Sequence, residues 1–180
     1  MMRLRLPRSA RLHMCGPMRH SPLLLVLLAA PAFAATPGPK PLGVFQDWTA
    51  ASYAAGGQTV CYAFTRPTNS VPKLPGRGGV MLTVTERPGS RDEVVLDAGY
   101  QYPAKSEPAV QVGPQSLSFY TSGRNAFARD GHAAVMAFEA GAQAVARSPA
   151  PTSRTQVVDT FSLNGFTAAY NAVVKACPAK

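Results

Sequence analysis

Few residues of this chain are of the kinds that do chemistry, and their spacing narrows what they can do. Beyond the first 34 residues there is one histidine, His132, two cysteines, Cys61 and Cys177, and nine carboxylates. A Ser-His-Asp or Cys-His device needs the histidine beside a nucleophile. His132 follows Asp130-Gly131 at the mouth of a helical stretch whose expected surroundings supply none, so it reads as a polar surface residue. One histidine and two well-separated cysteines offer no zinc-ligand spacing. Asp92 and Glu93 are adjacent, which in a strand points them to opposite faces, and they read as solvated turn charges. Gly76-Arg77-Gly78-Gly79 lacks the spacing and the Lys-Ser/Thr of a phosphate loop, and reads as flexible surface. No catalytic residue, cofactor site or metal site is therefore expected. The two cysteines lack the Cys-x-x-Cys spacing that lowers a thiol pKa, so a structural disulfide between Cys61 and Cys177 is the expectation. Closing 116 residues would stabilise by about 4–5 kcal/mol in the chain-entropy picture. The alternative, two free and reactive thiols, requires both to titrate in the unreduced chain.

The elements that must hold these groups follow from hydrophobic period. Phe166, Ala169, Tyr170, Val173, Val174 and Cys177 fall on one face of a helix, with Asn164 as the expected N-cap and Pro178 as the stop. Cys177 thus faces the core from a short C-terminal helix. In residues 59–65, Thr59, Cys61, Ala63 and Thr65 share one strand face while Val60, Tyr62 and Phe64 share the other. Further strands are expected at 44–50, 80–86, 93–98, 109–112, 116–121, 126–129, 142–147 and 155–161, with a short helix at 132–140. Residues 66–79, rich in proline and glycine, form a loop. Trp48, Tyr62, Tyr100, Phe119, Phe161 and Phe166 are most simply core aromatics, an exposed subset being the material of a binding face. Short strands separated by frequent turns imply a mainly β, antiparallel sandwich closed by the terminal helix.

The beginning of the chain bounds its destination. Arg3, Arg5, Arg8, Arg11 and Arg19 precede an apolar run, Leu23 to Ala30, and then Ala32-Phe33-Ala34, the order of a cleavable secretion signal. Residues 1–34 are read as that signal, 35–41 as a proline-rich lead-in and 42–180 as a single sandwich domain. Met18, followed by Arg19-His20, would give a more ordinary signal start than Met1. The net charge of +9 falls to +4 once the five leader arginines go, and the remainder is scattered, which argues against a nucleic-acid partner. No transmembrane anchor is expected in the mature chain. A periplasmic, outer-envelope or secreted location is, and there a cysteine pair is ordinarily oxidised.

Trp48, Cys61-Tyr62 with Pro67 after it, Gly99-Tyr100, and above all the run from Asp159 to Phe166 with Ala169 and Cys177-Pro178, resemble the invasion-associated locus B family of exported bacterial proteins. The likeness spans nearly all of the mature chain. Phe127 stands where that family commonly has a tryptophan, and residues 148–153 carry prolines where small residues and glycine are usual. The resemblance implies an immunoglobulin-like β-sandwich in the bacterial envelope, tied in some pathogens to virulence through host-cell invasion. Cys61 and Cys177 match its cysteine pair, and it brings no catalytic residues. The expected function is non-catalytic binding of an envelope or host-surface component, protein or glycan. The alternatives are a periplasmic enzyme acting on cell-wall or glycan material through carboxylates that converge in the fold, and a purely structural periplasmic factor.

Overall fold

The computed structural model describes residues 38–152 and 155–179, so the expected secretion signal at 1–34 lies outside the described residues. In chain order come β1 (Lys40–Phe45), β2 (Trp48–Ala55), β3 (Gln58–Thr65), β4 (Asn69–Val71), β5 (Met81–Arg87), β6 (Ser90–Asp97), β7 (Ala109–Val112), β8 (Gln115–Ser122), β9 (Asn125–Ala128), α1 (Gly131–Ala140), β10 (Gln143–Pro149), β11 (Gln156–Ser162) and α2 (Phe166–Ala176). The strands pair antiparallel throughout, in the order β1-β2-β3-β5-β6-β9-β8-β7-β10-β11-β4. One strand serves two layers. The first half of β8 pairs with β7 and its second half, from Phe119 to Ser122, with β9, so the sheet turns a corner there and folds over itself. The result is a mainly β sandwich with a short C-terminal helix.

Several local expectations are corrected by this architecture. Residues 44–50 are two strands, because Gln46 takes a left-handed φ of 52° and turns the chain at Gln46-Asp47. That turn lets Trp48 open β2 pointing inward, where its indole N–H donates to the Ser162 carbonyl at 3.0 Å. Lys40 and Pro41 of the proline-rich lead-in belong to β1. The loop at 66–79 contains β4, an edge strand on β11. Arg77 in that loop is not flexible surface: it is 7% exposed and grips Asp159, which is fully buried, through Nη1 at 2.9 Å and Nη2 at 2.6 Å. Its Nε donates to the Ala98 carbonyl at 2.7 Å, and its guanidinium lies 5.2 Å from the Tyr100 ring centre.

The core lies between the wide layer and a cover made of the other layer and both helices. Leu82, Val84, Val94, Leu96, Phe119 and Phe161 fill it, all almost fully buried. Phe166 of α2 packs edge-on against Trp48 at 4.9 Å and Phe138 of α1 at 5.4 Å. The end of α2 is fixed covalently. Cys61 and Cys177 are joined, with their Cα atoms 5.9 Å apart, and Cys61 projects inward from β3 as its alternation requires.

The cap of α2 differs from expectation. Gly165, not Asn164, is the N-cap, with φ 86° and no side-chain cap bond. Asn164 is exposed and contributes only its backbone, its carbonyl accepting from Asp47 N–H at 3.3 Å. Glycine is required because a Cβ there would strike the Phe45 carbonyl. Asn164→Ala should therefore shift stability by less than about 0.5 kcal/mol. Gly165→Ala should cost more than about 2 kcal/mol, the left-handed strain and the collision adding. Thermal melts followed by circular dichroism separate the two; equal shifts would return the cap to Asn164. Arg77→Ala should cost about 3–5 kcal/mol by stranding the Asp159 charge, and a second change, Asp159→Asn, should recover part of that loss in the same melts.

Candidate functional site

Alternation in β5 sets up the most unusual chemistry in the molecule. The period that turns Leu82 and Val84 inward also turns Glu86 inward, and its side chain is fully buried. The hairpin turn after β5 brings Arg91 and Asp92 back over it. Glu86 Oε1 accepts from the Asp92 backbone N–H at 2.9 Å, while Arg91 Nε lies 2.5 Å from Oε2, too oblique for a hydrogen bond. Asp92 sits in the left-handed region at φ 53°. Its Oδ2 is 2.9 Å from His132 Nδ1 at the start of α1, and its Oδ1 accepts from the Tyr170 hydroxyl of α2. Arg91 Nη1 donates to the Cys177 carbonyl at 2.6 Å. The start of α1 also presses on Asp92, since a Cβ at Gly131 would collide with the Asp92 carbonyl.

Asp92 and Glu93 thus have different fates, neither of them a free turn charge. Asp92 is 13% exposed and shared by two helices; Glu93 pairs with Arg87 at 2.7 Å on the outer surface. His132 is brought to a carboxylate, and with 75% of its side chain exposed it stands at the rim of the cluster. Among the described residues no three His, Cys, Asp or Glu side chains are arranged to hold a metal ion.

Two carboxyl groups this close cannot both stay ionised cheaply. Burial pushes the Glu86 carboxyl up from 4.5 to about 7, and its side-chain contact with Asp92 pushes the same way; Arg91 opposes without prevailing. For Asp92, burial alone would raise the pKa, but hydrogen bonds from Tyr170, His132 and Glu86 overcome it and leave the group below its usual 3.8. Burial and the bond to Asp92 raise the Tyr170 phenol. The pair therefore holds one proton, on Glu86, in mildly acidic solution and releases it around neutrality. Chemically this is a proton store. Mechanically it is a clamp, because its members come from four elements: Glu86 from β5, Arg91 and Asp92 from β6, His132 from α1, and Tyr170 with the capping Cys177 from α2.

A second feature faces outward. In the wide layer, alternation leaves Tyr53 of β2, Tyr62 and Phe64 of β3, Val95 of β6, Phe127 of β9 and Tyr120 of β8 on the outer surface, opposite the buried Cys61, Ala63, Val94, Leu96, Ala126 and Phe119. Phe64, Thr83, Val95, Phe127 and Tyr120 form one register row across five strands, about 19 Å at the usual strand spacing. Tyr62 stacks on Phe64 at 5.9 Å and Tyr120 on Phe127 at 5.4 Å, with Arg129 5.7 Å from the Tyr120 ring centre. Tyr62 is thus half-buried on the outer face instead of in the core; Trp48, Phe119, Phe161 and Phe166 are core residues. Tyr100 lies under Arg77, its hydroxyl donating to the Pro149 carbonyl at 3.0 Å.

The clamp makes stability depend on pH with a definite sign. Glu86 binds its proton more tightly folded than unfolded, so its contribution is complete below about 4.5 and disappears as pH rises through about 7. Asp92, lowered by folding, contributes above about 3.8 and loses that contribution as pH falls through its folded value. The parent should therefore be more stable near pH 5 than near pH 8, by an amount on the order of 3 kcal/mol for the Glu86 proton. In Glu86→Gln the slope between those pH values should flatten. Denaturant titrations at a series of pH values measure this; a parent curve rising from pH 5 to 8 would overturn the proton assignment.

No curated protein matches the chain significantly. Among solved structures, the crystal structure of invasion associated protein b from Bartonella henselae is similar, with a TM-score of 0.54 and 17% identity over 74% of this chain and 95% of that one. At that identity the likeness is one of fold. The profile described as Invasion associated locus B (IalB) protein matches residues 48–174. That span takes in the inward Cys61 of β3, the Glu86 and Asp92 clamp, the outer aromatic row and most of α2, and on it this chain belongs to the invasion-associated locus B family.

Proposed function

We propose that this protein is exported and acts, without catalysis, by binding a component of the bacterial envelope or of a host-cell surface through the outer face of its wide layer. The observation that carries the reading is the contrast between the two outer faces. The wide layer exposes or half-exposes Tyr53, Tyr62, Phe64, Tyr120 and Phe127, whereas the outward positions of β10 and β11 are Gln143, Val145, Arg147, Gln156, Val158 and Thr160. Aromatics gathered on one solvent face are the composition of a recognition surface. Export is supported by the order of basic, apolar and small residues in the first 34 positions, and by a cysteine pair joined at the end of α2. No helix among the described residues is long and apolar enough to cross a membrane. The Bartonella henselae relative is named for invasion, which makes a host surface a natural candidate alongside the envelope.

An enzyme acting on cell-wall or glycan material is the weaker reading. It needs carboxylates converging where substrate can reach them, and of the two that meet, Glu86 is completely enclosed. The binding reading is tested by sedimenting the exported protein with envelope fragments and with host-cell membranes. Tyr53→Ser combined with Tyr120→Ser, two exposed positions, should weaken retention at least about tenfold. Val158→Ser on the opposite layer should leave it unchanged. Equal retention of all three proteins would overturn the assignment of the binding face.

A further inference from the structure

Resting on that binding face, we propose that its β3 end carries a saccharide subsite, in which Phe64 stacks on the apolar face of a neutral sugar ring while Asp47 and Arg66 hydrogen-bond its hydroxyls. A cavity of about 250 Å³ opens there, lined by Asp47, Thr49, Phe64, Thr65, Arg66 and Thr68. Two features separate it from ordinary surface. The first is that its charges are unspent. Arg77, Arg87, Arg91, Arg124 and Arg129 each pair with a carboxylate; among the described residues Arg147 does not, so what marks this site is an unpaired acid together with an unpaired base. The Arg66 guanidinium and the Asp47 carboxylate line one cavity, yet neither has a side-chain partner among the described residues.

The second feature is that both walls are fixed while their tips stay free. The buried Thr65 hydroxyl donates to the Asp47 carbonyl at 2.7 Å, and Asp47 N–H donates to the Asn164 carbonyl at 3.3 Å. On the other wall, Thr68 N–H and hydroxyl both donate to the Thr160 carbonyl, at 2.8 and 3.0 Å. Little backbone order remains to be lost on binding, which is how a shallow site gains affinity. The aromatic floor continues outward from Phe64 through Tyr62 to Tyr53, whose ring centres are 5.8 Å apart.

These groups select the ligand class. One acid and one base cancel, so the ligand carries no net charge. A planar acceptor and a planar donor suit adjacent hydroxyls, and the aromatic ring suits the C–H face of a pyranose. A zwitterion such as a small peptide would also match the two charges, but Asp47 and Arg66 are exposed, and exposed ion pairs contribute little in water. Stacking on half-buried Phe64 is not screened in that way, and it favours the sugar.

The test titrates cellohexaose, N-acetylchitohexaose and glycylphenylalanine separately into isotope-labelled exported protein and follows the amide resonances. Either sugar should shift Thr49, Phe64 and Thr68, and Phe64→Ala should weaken that binding at least about tenfold. Asp47→Asn and Arg66→Ala, both at exposed positions, should weaken it about three- to tenfold with the remaining spectrum unchanged, which guards against loss of fold in Phe64→Ala. Three results would each overturn the subsite: no shift at these amides with either sugar, shifts with glycylphenylalanine alone, or sugar shifts centred on Tyr120 and Phe127. In any of those cases, loss of envelope retention in the Tyr53/Tyr120 variant would leave the binding face standing and remove only the saccharide.

Discussion

A carboxylate without access to water constrains the fold more tightly than any apolar contact. Asp159 lies at the inward position of β11 between Val157 and Phe161, and all three are fully buried. An ion so placed demands a fixed, multiply bonded cation. Arg77 supplies it from a segment rich in glycine, where Gly78 N–H bonds the Gly99 carbonyl at 2.9 Å. The guanidinium then organises its surroundings. It rests on Tyr100, which bonds Pro149 of β10, while Tyr100 packs edge-on against Tyr102, whose hydroxyl meets Ser148 at 3.1 Å. Both layers are thereby indexed to one charge. Such a pair adds little stability over an apolar replacement, so its effect here is best understood as fixing which segments meet.

The clamp around Asp92 does the same work at the helical side. Glu86, His132 and Tyr170 reach Asp92 from three other elements, and Arg91, beside it on β6, links Glu86 to the carbonyl of Cys177. Perturbed carboxyls next to a histidine and a tyrosine resemble catalytic equipment. Here they are unequally open to solvent: Glu86 has no exposed surface, Asp92 little, and the exposed member, His132, lies at the rim. The disulfide and the clamp both hold α2, one by a covalent constraint on the unfolded chain at Cys177, the other by hydrogen bonds to the Tyr170 hydroxyl and the Cys177 carbonyl.

What could be read from the sequence follows from the range of the forces involved. Strands at 59–65, 80–86, 109–112, 116–121 and 155–161 announce themselves by alternation, a local property, and each is present within a residue or two. The apolar stripe from Phe166 to Cys177 does the same for α2. The turn at Gln46-Asp47 was hidden because Gln at a left-handed φ has no sequence signature. The cap at Gly165 was hidden because the reason for glycine there is Phe45, more than a hundred residues earlier in the chain. Partners of Asp159 and Asp92 were invisible for the same cause. A signal did exist for the acids: Glu86 and Asp159 occupy inward positions of apolar strands, and a charge there announces a buried partner without naming it.

The outer aromatics were legible only as residues, not as a face. Tyr62 and Phe64 share a strand face by period two, but whether that face meets core or solvent depends on which side the second layer and helices cover. Cys61 settles it. Its sulfur reaches α2 on the inner side, so the alternate positions must turn outward, and Phe127 and Tyr120 join them through the register of β5, β6 and β9. The staple that closes the core thus also determines which aromatics are left on the outer face. On that outer face Tyr62 stacks on Phe64 along β3 and Phe127 on Tyr120 across β9 and β8, so the half-buried rings tie the layer together even where no second layer covers them.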